Sequence, residues 1–69
     1  MHLTLKQARL IKEKTQQELA DSMGVHVHTY ARMEKNPDEV TIREAKQLSE
    51  LLGVDYDKIF FNGKSTLSR

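Results

Sequence analysis

His26, His28, Arg32 and Lys35 are the side chains of this sequence best placed to do chemistry, and what they offer is hydrogen-bond donation. His28 and Arg32 stand four apart and Lys35 follows three later, so on a helix they form one stripe, with Val27 and Ala31 beside it. Tyr30 and Met33, three apart, make the opposite, apolar side. A helix held by its apolar back, with arginine and histidine in front, has the form needed to enter the major groove of duplex DNA. There an arginine can donate two hydrogen bonds to one guanine edge. Catalysis finds little to work with: no nucleophile–base pair, carboxylate dyad or glycine-rich phosphate loop is apparent, so no enzyme is expected. Cysteine is absent, which removes disulfides and thiolate metal sites. His26 and His28 fall about 200° apart on an ideal helix, and His2 lies in a terminus expected to fray. Neither a metal nor a cofactor is therefore expected, and no small-molecule ligand is evident.

The donor stripe needs a scaffold, and the sequence outlines one. Thr15 with Glu18 reads as a capping box that opens a helix. Leu19 and Met23 share one face of it, and Ala20 leaves room for a second helix to cross closely. Gly24 can turn left-handed and end that helix, Val25 plugs the turn, and 26–35 has helical spacing again. Upstream, 1–14 reads as a first helix, with Thr4 and Gln7 as another capping box and Leu5, Ala8 and Ile11 as its buried stripe. Leu10 lies off that stripe; intramolecular packing is favoured over a partner surface.

Downstream, Lys35-Asn36-Pro37-Asp38 is a turn, because Pro37 cannot continue a helix. Thr41 with Glu44 opens a fourth helix, with Ile42, Ala45, Leu48, Leu51 and Leu52 as a broad apolar face and Gly53 as its stop. Asp55 then caps a short fifth helix over DYDKIF, where Val54, Ile59 and Phe60 close the core. Phe61 either faces outward as a dimer contact or is partly covered by the tail. The expectation is an all-α, five-helix domain over 1–61, with a flexible polar tail over 62–69.

The stretch from Thr15 to Lys35 resembles the helix-turn-helix of the phage-repressor and Cro-like transcription regulators. Counting from Gln16, that family places apolar residues at the fourth, eighth, tenth, fifteenth and eighteenth positions; here these are Leu19, Met23, Val25, Tyr30 and Met33. It places a small residue at the fifth and glycine at the ninth, here Ala20 and Gly24. The resemblance covers about residues 3–60. It implies a lambda-repressor-like fold with the second and third helices as the motif. It also implies sequence-specific binding of an operator in double-stranded DNA, as a transcriptional regulator and more often a repressor.

On this resemblance His26, Val27, His28 and Arg32 would contact bases. Val27 could equally tuck into the core beside Tyr30. Gln16, Gln17, Thr29, Lys35 and Asn36 would contact phosphates, although Gln16 and Gln17 could also be ordinary exposed residues. Arg9 would pair with Glu34 to tie the first helix to the third; the alternative is two solvated charges. A homodimer, at least on DNA, would fit a two-fold operator, with a possible contact through Phe60 and Phe61.

Three positions depart from the family pattern. Lys14 stands where an apolar staple is usual, and His26 where a stronger cap is usual. The connection after Lys35 is short, as in small regulators of phages of low-GC Gram-positive bacteria. A second reading uses the same fold to hold another protein, as an antitoxin-like or anti-repressor regulator, through Phe61, Leu10 and the tail.

Composition adds little. The formal charge of +1 does not by itself announce a nucleic-acid binder, so the electrostatic argument rests on a local face. No apolar run approaches the about 20 residues of a membrane span and no signal peptide is visible, so a cytoplasmic protein, bacterial or phage-encoded, is expected.

Overall fold

The computed structural model of the chain describes residues 3–59, and the expectations for His2, Phe60, Phe61 and the 62–69 tail lie outside the described residues. The helices are α1 (Leu5–Ile11), α2 (Gln16–Met23), α3 (Val27–Lys35) and α4 (Ile42–Leu52), with 3-10 turns at Pro37–Glu39 and Tyr56–Lys58. There is no strand among the described residues.

Threonine starts three of the helices. Thr4, Thr15 and Thr41 each accept the amide three residues on, and the side chains of Gln7, Glu18 and Glu44 return to the threonine amides at 2.9, 2.8 and 3.0 Å. Each box satisfies two of the amides that a helix start leaves without partners. Gly24 (φ 73°) ends α2, with its own amide on the Asp21 carbonyl and that of Val25 on the Ala20 carbonyl. Gly53 (φ 70°) ends α4 in the same left-handed region.

The core is one cluster in which Leu5, Ala8, Leu19, Ala20, Tyr30, Leu48 and Leu52 are almost wholly covered. Met33 and Ile59 close it, and Val25, Val27 and Val54 pack against its edge. Ala20, on α2, is fully buried within this cluster. The two ends of the described chain meet where the Leu3 amide donates to the Lys58 carbonyl at 2.9 Å.

The structure corrects the expected architecture in three places. First, the fifth helix is a single 3-10 turn, so the described residues hold four α-helices. The turn stops at Lys58, whose carbonyl accepts the Leu3 amide from the other end of the described chain.

Second, α1 stops at Ile11 rather than running through 1–14. Glu13 takes a left-handed conformation (φ 57°) usually given to glycine, and the Glu13 and Lys14 amides return to the Leu10 and Arg9 carbonyls. The buried face of α1 is Leu5, Ala8 and Arg9, while Leu10 is 54% and Ile11 64% exposed. A residue six positions on from Leu5 has drifted about 120° round the helix, whereas one four on has drifted about 40°. Leu10 therefore does not pack inside the molecule as expected.

Third, the apolar face of α4 is narrower than its composition suggests. Ala45, Leu48 and Leu52 are buried, but Ile42 and Leu51 are exposed at 43% and 37%.

Candidate nucleic-acid interface

The outer face of α3 is built from its inner one. Tyr30 and Met33 are buried in the cluster that also holds Leu5 and Ala8 of α1, Leu19 and Ala20 of α2 and Leu48 and Leu52 of α4, which fixes how the helix can roll. Residues offset from that pair must then face outward: His28, Arg32 and Lys35 are exposed, and Thr29 and Ala31 are half-buried at the margins. Val27 is half-buried against the core, so only part of its side chain is free for a base. Asn36 is half-buried; its carbonyl accepts the Glu39 amide at 2.9 Å and so shapes the turn after α3.

Arg32 lines an open cleft of about 180 Å³ at the end of α3, together with Thr29, Met33, Asn36, Glu39, Val40 and Glu44. The Glu44 carboxylate already accepts the Thr41 amide. No ion pair holds Arg32 among the described residues, so its guanidinium keeps its donors.

The N-terminal end of α3 is set by histidine. His26 has extended geometry (φ −70°, ψ 148°), and its Nδ1 accepts the His28 amide at 3.0 Å. It is therefore a working cap, although the residue type is a poor one by preference. Because His26 lies outside the helix, its ring is not 200° from that of His28; the two centroids are 4.7 Å apart, with planes tilted by 44°. Among the described residues no group of three His, Cys, Asp or Glu is placed to hold a metal.

A buried charge cluster ties α3 to the rest. Arg9 Nε donates to Glu34 Oε2 at 2.6 Å and Arg9 Nη2 approaches Oε1 at 3.4 Å, with the side chains only 9% and 7% exposed. Arg9 Nη1 donates to the Lys14 carbonyl at 3.0 Å, so the arginine also secures the junction where Lys14 offers no apolar staple. Gln16 Nε2 donates to Glu34 Oε1 at 3.0 Å, which joins the start of α2 to the end of α3. A carboxamide nitrogen carries two hydrogens, so this bond leaves Gln16 one to offer elsewhere. Gln17 likewise spends one on Asp21, at 2.8 Å.

Burial by itself would raise the Glu34 carboxyl. The hydrogen bonds from Arg9 and then Gln16 outweigh it, and the group is held below the usual carboxylate range. A carboxyl lowered on folding stabilises the native state above its unfolded pKa of about 4.3, and that contribution is lost as pH falls through the folded value. Stability should therefore drop on acidification below about pH 4.3, and Glu34→Gln should flatten that drop in melts recorded against pH. An equally steep acid limb in Glu34→Gln would assign it to other carboxylates.

Tyr30 is fully buried, and its hydroxyl has no partner at hydrogen-bond geometry among the described residues. Burial raises the phenol well above its ordinary pKa, and the nearby Glu34 carboxylate adds to this. An unpartnered buried hydroxyl costs about 1–3 kcal/mol. Tyr30→Phe is thus expected to be neutral or to stabilise by up to about 1 kcal/mol in urea unfolding. A loss of more than about 1 kcal/mol would mean that the hydroxyl does bond to Glu34.

Two short helices packed together, the first with a buried alanine, joined by a left-handed glycine and presenting one exposed donor stripe, define a helix-turn-helix domain. The comparison with known families agrees: a helix-turn-helix family model matches residues 5–59, and the chain belongs to the phage-repressor and Cro-like helix-turn-helix regulators, a family of DNA-binding transcription regulators. No curated protein and no solved structure matches the chain. No described helix is long and apolar enough to cross a membrane.

Proposed function

We propose that the chain binds a specific operator in double-stranded DNA and represses transcription there, with α3 in the major groove. The observation that carries this reading is the exposure of Arg32 and His28 on a helix whose opposite face is locked by Tyr30, Met33 and the Arg9–Glu34 pair. His26, His28, Arg32 and the free part of Val27 would read base edges. Gln16 and Gln17 at the start of α2, with Lys35 at the end of the stripe and Thr29 and Asn36 beside it, would hold phosphates and set the register. The amides at the start of α2 favour an anion in the same place.

A homodimer on a two-fold site would place its half-sites about one helical turn apart, ~34–36 Å. Such a regulator would work in the cytoplasm of a bacterium, encoded there or by a phage. Selection of duplexes from random DNA tests the proposal. A recurring sequence with two-fold symmetry supports it, and recovery of unrelated sequences overturns it.

The exposed pair Leu10 and Ile11 favours a second reading, in which the end of α1 holds another protein. Weak, sequence-blind DNA binding together with a stoichiometric protein partner would support that reading over the first.

A further inference from the structure

We infer that His26 is held in one tautomer, as an outward hydrogen-bond donor, and that it reads an acceptor on a base edge and excludes cytosine. This deepens the reading of α3 as the base-reading helix and rests on it. A backbone amide can only donate, so the Nδ1 that receives the His28 amide at 3.0 Å must carry no hydrogen. In the neutral ring the single hydrogen is then on Nε2.

Nε2 lies on the far side of the ring from the capped amide, and the side chain is exposed. No protein acceptor takes that hydrogen among the described residues, and no ion pair involves the ring. The His28 ring lies beside it, the centroids 4.7 Å apart and the planes tilted by 44°. The cap thus does two things at once: it starts the helix and it fixes the polarity of the group offered in front of it.

The consequence is a selection rule. In the major groove guanine presents two acceptors, adenine one and thymine one, while the hydrogen-bonding group of cytosine is the N4 donor. A ring offering Nε2–H can bond to any of the first three and meets cytosine donor against donor. A histidine free to exchange tautomers would carry no such bias, because Nε2 could then accept from N4.

The test has two arms. Long-range ¹H–¹⁵N spectra of the free protein near neutral pH should show His26 Nδ1 as the bare nitrogen and Nε2 as the protonated one; the reverse pattern overturns the inference. The second arm compares duplexes selected from random DNA by wild type and by His26→Ser, a substitution that keeps a capping oxygen and removes the ring. The serine variant should melt at or above the wild-type midpoint. It should also lose preference at one position where wild type excludes cytosine on the strand that the ring faces. His26→Thr serves the same purpose if the serine variant folds poorly. Enrichment of cytosine at that position, or a preference unchanged by the substitution, overturns this inference alone. Absence of any preference in wild type overturns the base-reading role of α3 as well.

Discussion

Arg9→Ala is expected to lose about 3–5 kcal/mol, the cost of leaving one partner of a buried ion pair uncompensated. The Glu34 carboxylate, with its side chain only 7% exposed, would keep Gln16 as a donor and nothing to balance its charge. The Lys14 carbonyl would lose its donor at the same time. In a domain of this size the core supplies about 3–5 kcal/mol in total, so the variant should be largely unfolded at 25 °C without denaturant. Arg9→Met with Glu34→Leu is the informative companion, because a buried pair replaced by apolar groups of similar volume is often neutral or better. Urea unfolding should show most of the loss recovered in the double variant. A single variant within about 1 kcal/mol of wild type would instead describe the pair as solvated. The pair's role is then orientation: it sets the end of α3 against α1 and α2, and so the tilt at which the donor stripe is offered.

Arg32→Ala should leave the fold intact and cost about 1–3 kcal/mol of specific DNA binding, a loss of roughly 5- to 150-fold, while relaxing one base position. The separation follows from its surroundings: Arg32 is exposed and no described carboxylate pairs with it, so little stability is at stake. The check is binding measured across salt, on a duplex recovered from selection and on one of unrelated sequence. Loss confined to the selected duplex marks a base contact. Equal loss on both, with the salt slope reduced by about one, would make Arg32 a phosphate contact instead.

Much of the fold is legible because it is written in local chemistry. The three threonine boxes and the two helix-ending glycines act over three to five residues, and each stands in the structure where its residue types place it. The elements that sequence reasoning missed lack such a signal. Glu13 does the work of a glycine, so nothing in LIKEK marks the end of α1. The fifth helix had a cap and apolar residues, but its fate depended on a carbonyl claimed by Leu3, from the other end of the chain. Arg9 illustrates a different limit. No helical period marks an arginine as buried, and only the resemblance to a family pointed to Glu34, 25 residues away. Its further bond to the Lys14 carbonyl, and the bond from Gln16 to Glu34, follow from tertiary geometry alone. The His26 cap lay between these cases: the residue type argued against it, although the position was legible.

The central claim is that the edge of α3 opposite Tyr30 and Met33 is the surface that meets DNA. Backbone amide shifts, followed by NMR as a selected duplex is added, test it most directly. The account predicts that the largest changes cluster on residues 26–36 and at Gln16 and Gln17, with Leu10, Ile11 and Leu51 nearly unmoved. Changes centred on Leu10 and Ile11, with 26–36 silent, would contradict it.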